Sequence, residues 1–306
     1  MELALQIMAG VGLFLYGMQL MSDGLQKVAG QKMRTILERL TTNPFMGLIL
    51  GIVFTGVIQS SNATTVLVVS FVNSGLMTLA QSVGVIMGAN IGTTVTGQLV
   101  SFKLDAIAPF FIIVGVVMVM FIKKPMVKRA GEVLLGFGVL FFGMTTLSAS
   151  GDQLNQVEAV KNLFGSLRNP FLAVLIGFVA TSVLQSASAS VGILIVLAST
   201  GLMDLNICYY VIMGCNIGAC GSAVLASLSG TKNAKRAAMV HVSFNIIGLV
   251  IVMTLLGIWG DGIMGCSHPC RKGCSKYQYH HKDLPGDRTV SLQQVSGSSY
   301  ISAYSW

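Results

Sequence analysis

The strongest constraint on this chain is an internal duplication. Residues 43–93 align without a gap onto residues 169–219, and about 21 of the 51 positions are identical, far more than chance allows in a repeat search. Asn43-Pro44-Phe45 returns as Asn169-Pro170-Phe171, Gln59-Ser60 as Gln185-Ser186, and Gly75-Leu76-Met77 as Gly201-Leu202-Met203. Val85–Gly92 (VIMGANIG) returns as Val211–Gly218 (VIMGCNIG). The same offset carries Gly10, Gly12, Gly17 and Met18 onto Gly136, Gly138, Gly143 and Met144, so the unit begins near the N-terminus. A duplicated unit with polar breaks inside apolar stretches is how many secondary transporters are built, with the substrate site where the halves meet.

The unit belongs in a bilayer. With 53% apolar residues, 10% charged residues and a mean hydropathy of +0.76, too little polar surface is left for a water-soluble protein of this size. The first residues include Glu2 and show neither a basic start nor a small-residue cleavage site, so no removable signal peptide is expected. Apolar stretches at 4–22, 78–100 and 104–122 are expected to cross the hydrocarbon core of about 30 Å. Their counterparts are 130–149, 205–228 and 236–257. The polar amphipathic pieces 23–41 and 150–167 suit helices lying along the interface.

Between these lie segments too short to span. Residues 44–58 and 62–73 flank a polar turn of Gln59, Ser60, Ser61 and Asn62; residues 170–184 and 188–200 flank Gln185, Ser186, Ala187 and Ser188. Two half-length helices joined by a polar turn predict a re-entrant hairpin, which membrane depth tolerates only where protein or water covers the freed backbone. The expected fold is therefore an all-α polytopic membrane protein of two repeats, 1–125 and 126–258. Each repeat has three transmembrane helices, an interfacial helix and a re-entrant helical hairpin. Three crossings per repeat is an odd number, so the second copy enters from the opposite side and the repeat is inverted. With the N-terminus outside, the inner loops carry Lys27, Lys32, Arg34, Arg39, Lys123, Lys124, Lys128, Arg129, Lys232, Lys235 and Arg236, against Lys103, Lys161 and Arg168 outside. That distribution follows the positive-inside rule. The net charge of +8 is thus accounted for by topology, with no nucleic-acid partner.

The turns predict chemistry. Hydroxyl and amide side chains at Ser60–Asn62 and Ser186–Ser188 cap a helix start whose dipole points its positive end inward. Such an end holds anions through backbone N–H groups, hydroxyls and the Gln59 and Gln185 amides. Serine hydroxyls, carbonyls freed by an unwound turn and the Gly88–Thr94 run, with its partner Gly214–Ala219, offer the oxygens a hard monovalent cation needs. No carboxylate lies deep in the apolar segments, which argues against an Asp or Glu proton relay. Small and polar residues in membrane helices also serve close packing. Packing alone, however, does not explain Gln-Ser turns at equivalent places in both halves. The glycines at 10, 12, 17, 136, 138 and 143 are read as packing faces.

QSSNATT at Gln59–Thr65, QSASAS at Gln185–Ser190 and GANIGTT at Gly88–Thr94 resemble the signatures of the type II sodium-dependent phosphate cotransporters, in their shorter bacterial branch, over residues 5–258. The resemblance implies a multi-pass protein of the bacterial inner or plasma membrane that moves inorganic phosphate coupled to sodium. It implies a phosphate site at Gln59, Ser60, Ser61, Asn62, Gln185, Ser186 and Ser188. It implies sodium ligands among Ser61, Thr64, Asn90, Thr93, Thr94, Ser188 and Asn216, with sodium the coupling ion and no other cofactor. The chain departs from the family at Asn62 and Ala187, where serine is usual, and at Ala219-Cys220, where the second glycine motif would end in two threonines. His241 and Asn245, four apart on one helix face, also match the family and are read as a packing hydrogen bond or a support for the site.

After about Met264 the pattern collapses into Cys266, His268, Cys270, Cys274, His280 and His281. The cysteine spacing fits none of the usual zinc pairs. Read one base later, Cys274–His281 can yield a stretch like the one from which bacterial relatives enter a further helix and often a PhoU-like domain. Residues 259–306 are therefore expected to be a disordered, frameshift-derived tail. Cys208, Cys215 and Cys220 lie in apolar helix and are read as small buried hydrophobes, with no disulfide framework. The chain shows no nucleophile–base pair, metal-ligand set or nucleotide-binding loop in its membrane part, so catalysis is not expected. Alternating access is the expected mechanism. Two rival readings are a carrier of another small oxyanion or carboxylate on the same scaffold, and a non-transporting membrane tether for a PhoU-like phosphate-sensing regulator.

Overall fold

The computed structural model describes residues 2–265 apart from Lys103, Asp105 and Arg168; the expected tail beyond residue 265 lies outside the described residues. The described chain is helical: α1 (Glu2–Leu40), α2 (Pro44–Ile58), α3 (Ser61–Asn73), α4 (Leu79–Ser101), α5 (Ala108–Phe121), α6 (Pro125–Leu154), α7 (Glu158–Ser166), α8 (Pro170–Leu184), α9 (Ala187–Ser199), α10 (Leu205–Ser227) and α11 (Lys232–Gly265). Residues 2–254, among the described residues, form one compact unit. Five helices, α1, α4, α6, α10 and the Lys232–Leu255 part of α11, are long and apolar enough to cross a membrane. Large apolar side chains also face outward on the shorter helices: Phe121 of α5 and Phe171 and Val183 of α8 are 74%, 74% and 76% exposed. Large side chains turned outward this way need lipid around them.

The four half-length helices form at the expected places, and local chemistry sets their ends. Asn43 and Asn169 cap α2 and α8, their side-chain oxygens accepting from Met46 and from Phe171 and Leu172 backbone N–H groups. Pro44 and Pro170 follow at the first helical position, where a missing N–H costs nothing. The repeated Gly-Leu-Met ends α3 and α9. Gly75 and Gly201 take φ of +74° and +72°, and Leu76 and Leu202 donate back to the Phe71 and Leu197 carbonyls, closing a glycine-dependent helix terminus.

Two expectations are revised. The amphipathic piece 23–41 is not a separate interfacial helix. α1 runs unbroken to Leu40, about 58 Å at 1.5 Å per residue, because 23–40 contains no proline and is rich in helix formers. Its distal half packs inward: Leu37 is buried with Ile58, Phe71 and Val72, with Ala29 and Met33 against the same cluster. In the second repeat the equivalent stretch does break. α6 stops at Leu154, Asn155 donates to the Thr200 carbonyl at 3.0 Å, and a nine-residue α7 follows. The stretch 104–122 is also shorter than expected. α5 covers 14 residues, about 21 Å, short of the roughly 20 residues a crossing takes. Backbone bonds from Ile107 and Ala108 to the Leu104 carbonyl and Pro109 set its start, while Ile122–Lys124 before Pro125 end it.

Glycines weld the helices into three sets: α2 with α4, α8 with α10, and α1 with α6 and α5. A Cβ on Gly84, Gly88 or Gly51 would collide with the Pro44, Leu48 or Val85 carbonyl across the α2–α4 seam. Equivalents on Gly177 and Gly214 would strike Val211 and Val174 across α8–α10. The repeated VIMG-x-NIG motif therefore buys backbone contact. Its helix is continuous through Gly88–Thr94. The expectation of packing faces holds for Gly10, Gly17, Gly136, Gly138 and Gly143, whereas a Cβ on Gly12 would meet nothing. Gly17, Gly136 and Gly143 knit α1 to α6, and Gly138 seats α6 on α5.

Candidate functional site

The chain reverses at Gln59 and Gln185, the two non-glycine residues with positive φ among the described residues, at 58° and 54°. An L-residue there costs roughly 1–2 kcal/mol. Each glutamine offsets part of this by closing its own helix. The backbone N–H of Gln59 donates to Thr55 and that of Gln185 to Thr181, both at 2.8 Å. The Gln59 Nε2 donates to the Gly56 carbonyl, and the Gln185 Nε2 to the Ser182 carbonyl at 2.6 Å.

Ser60 and Ser186 then turn extended, with φ −147° in both, and cap α3 and α9: their Oγ atoms accept from the Ala63 and Ala189 N–H groups at 3.2 Å. Below each turn a hydroxyl pair pins the arms together, Thr55 Oγ1 to Thr64 Oγ1 at 2.8 Å and Thr181 Oγ1 to Ser190 Oγ at 2.8 Å. Thr64 and Ser190 donate onward to the Ser60 and Ser186 carbonyls, at 3.0 and 3.2 Å. The Cys215 thiol lies against the second pair. Thr55, Thr181, Ser190 and Cys215 were not read from the sequence as part of the site. Their signal was present, since Thr55 maps onto Thr181 and Thr64 onto Ser190 at the repeat offset.

The two turns meet. Asn62 Nδ2 donates to the Gln185 carbonyl at 2.7 Å, a bond across 123 residues of sequence. The second arm of each hairpin also packs on the other half, α3 on α10 and α9 on α4. The turns differ in cover. Gln59 is 5% exposed, and Ser22 of α1 donates to the Ile58 carbonyl beside it at 3.2 Å; Gln185 is exposed. Ser60, Ser61, Asn62, Ser186 and Ser188 are half-buried, and the Ser186 and Ser188 hydroxyls lie 3.3 Å apart. The Gln59 Oε1 and Asn62 Oδ1 atoms are buried with no hydrogen-bond partner among the described residues.

The remaining candidates divide. Asn90 donates to Asn245 Oδ1 at 3.4 Å; Asn245 Nδ2 donates to the His241 carbonyl at 3.0 Å and lies 3.2 Å from Cys220 Sγ. Cys220 in turn donates to the Asn216 carbonyl at 3.4 Å. Asn245 thus makes the packing hydrogen bond read from its spacing, and it ties α4, α10 and α11 together. Thr93 donates to the Ala89 carbonyl at 3.0 Å and the exposed Thr94 to the Ile91 carbonyl at 2.7 Å. The structure does not join these two hydroxyls to the turns. Among the described residues no group of three or more His, Cys, Asp or Glu could hold a metal ion.

Among the described residues, five helices long and apolar enough to cross a membrane and two touching, uncharged polar turns define a multi-pass membrane protein. The Na+/Pi-cotransporter family profile matches residues 13–149 and again 150–268, and the chain belongs to that family. It is 32% identical over 244 residues to YqeW of Bacillus subtilis, an alignment covering 79% of each chain. It is 27% identical over 266 residues to YjbB of Escherichia coli, a protein named for inorganic phosphate export, covering 87% of this chain and 49% of that one. It is 36% identical over 90 residues to the human sodium-dependent phosphate transport protein 2B, covering 29% of this chain and 13% of that one. The chain thus spans about half the length of YjbB and a small part of the human protein. No solved structure matches it significantly.

Proposed function

We propose that this chain is a secondary active transporter that moves inorganic phosphate across the bacterial inner or plasma membrane, coupled to sodium, by alternating access. The hydrogen bond between Asn62 and the Gln185 carbonyl carries the reading, because it brings two broken helices from the two copies of the repeat to one point. We read the repeat as inverted. α3 and α9 then aim their capped starts at one another from opposite sides, and an anion between them is held by the N–H groups and hydroxyls at Ser60, Ser61, Ser186 and Ser188. Sodium beside the anion lowers the cost of holding charge in a low-dielectric site, with Ser61, Thr64, Ser188, Asn90 and Asn216 as its candidate oxygens.

Packing supports a particular moving body. The hairpins are welded by backbone contact to α4 and α10, whereas α1, α5 and α6 pack mainly on one another. The part that rocks is therefore the six-helix group α2–α4 with α8–α10, set against the frame of α1, α5 and α6. A PhoU-like regulator is a further proposed partner, on the strength of family resemblance alone.

Radiolabelled phosphate uptake into proteoliposomes tests the function. Uptake driven by an inward sodium gradient is expected, and equal uptake with potassium overturns the coupling. A pure tether predicts no uptake in either salt.

A further inference from the structure

Away from the turns, α4 and α11 form the walls of a groove of about 420 Å³. Leu79 and Met87 line one side and Met239, Phe244 and Ile247 the other, so the walls are apolar and, through the methionines, adaptable. Two polar residues join them, Arg236 and Ser243. Asn90 of α4 meets Asn245 of α11 at 3.4 Å, and Leu79 shares the groove with Arg236, so the two helices start at the same end. Arg236 therefore stands at the mouth, and the apolar lining runs from it toward the middle of the membrane.

The mouth is basic and unneutralised. Arg236 is exposed and pairs with no carboxylate among the described residues, where the ion pair is Lys27 with Glu132. Lys232 lies one turn before Arg236, and Lys235 one turn before Met239, so both share the groove's face of α11. Both are exposed. The length of the slot is also informative. Arg236 to Ile247 covers about 16 Å of helix at 1.5 Å per residue, close to one leaflet, half of a hydrocarbon core of about 30 Å.

A cationic mouth over an apolar slot one leaflet deep is the complement of an amphiphile with an anionic head. A second copy of this chain fits less well. Two copies related by an axis along the membrane normal carry their mouths at the same depth, so a two-fold contact through the groove sets cation against cation.

We propose that the groove between α4 and α11 binds an anionic phospholipid, its headgroup phosphate on Arg236, Lys232 and Lys235 and one acyl chain in the slot beside Met87, Met239 and Phe244. The guanidinium's planar fork matches a phosphate bidentately, and basic pockets between membrane helices are a known setting for anionic headgroups. The site needs only a bilayer and is independent of the transport reading. Because Asn245 ties α11 to α4 beside the slot, a bound lipid braces that seam.

The test uses the full chain purified in detergent and titrated with phosphatidylglycerol or phosphatidylcholine carrying the same oleoyl chains. Lipid retained is counted by native mass spectrometry, with thermal unfolding followed in parallel. Phosphatidylglycerol should bind at least about fivefold more tightly than phosphatidylcholine and raise the unfolding temperature. Arg236→Gln should lower its affinity about fivefold and leave phosphatidylcholine unchanged. Ser243→Trp fills the slot from an exposed position with every charge in place, and it should abolish retention of both lipids. Free inorganic phosphate should not displace the lipid; displacement would make this a soluble-anion site and overturn the proposal. A loss in Lys124→Gln equal to that in Arg236→Gln means diffuse attraction to a basic face and overturns it too. So does a folded Ser243→Trp protein that keeps its lipid, and one that keeps its lipid while passing from dimer to monomer assigns the groove to a second copy.

Discussion

The turns at 59–62 and 185–188 share a backbone and differ in their surroundings. Left-handed glutamine, extended serine cap and buried hydroxyl pair repeat with φ values within a few degrees. Yet Gln59 is sealed beneath α1 while Gln185 is open, and Asn62 reaches across where Ser188 stays with Ser186. The difference traces to the cover. α1 continues past Ser22 as one helix whose distal half packs against α2 and α3, and α6 stops at Leu154. Unequal cover and one asparagine leave the first turn sealed and the second exposed.

The comparison can be broken hardest at its scaffold. Gly88→Leu and Gly214→Leu place a branched side chain on the Leu48 and Val174 backbones, where overpacking exceeds the usual cost of about 1–3 kcal/mol. Neither variant should yield a monodisperse protein by size-exclusion chromatography in detergent. A well-behaved Gly214→Leu beside a failed Gly88→Leu would show that the halves are not equally welded.

The next test separates turn from side chain. Glycine accepts positive φ freely, so Gln59→Gly and Gln185→Gly should keep or slightly raise thermal stability. Phosphate uptake should fall by about tenfold or more, the worth of a hydrogen bond to a charged ligand. The larger loss is expected at the buried Gln59, and equal losses would erase the distinction drawn between the sealed turn and the exposed one. Smaller still are Thr55→Val and Thr181→Val, which each remove one donor from a buried hydroxyl pair. Each should lower stability by about 1 kcal/mol on thermal unfolding, alike in both halves. Lys27→Ala breaks the exposed pair with Glu132 at 2.9 Å and should change stability by less than about 1 kcal/mol.

The hairpins were legible because their signals are local. Asn-Pro starts, Gln-Ser turns and Gly-Leu-Met stops each fix a few backbone angles, and repetition marked them as paired. The unbroken α1 was less legible: polarity in 23–41 reads as an interface, whereas only tertiary packing of Leu37 and its neighbours shows that the segment covers hairpin 1. The packing role of Gly88 and Gly92 was not legible, because glycine's use in close helix approach depends on the facing helix. The contact between the turns was expected from the duplication, but the residue making it was not. Asn62 was noticed as a departure, and a departure shows its purpose only once the partner across the gap is known.

Cross-linking between the two turns is the most direct test of the account. In a background without other cysteines, Asn62→Cys with Gln185→Cys should form an intramolecular disulfide on mild oxidation in native membranes, since such a bond needs Cα atoms within about 7 Å. The expected readout is two fragments held together after cleavage of the chain between α5 and α6 and released by reductant. Failure to cross-link while each single cysteine remains reactive to a thiol reagent would mean that the turns do not meet, and the proposed site between them would not exist.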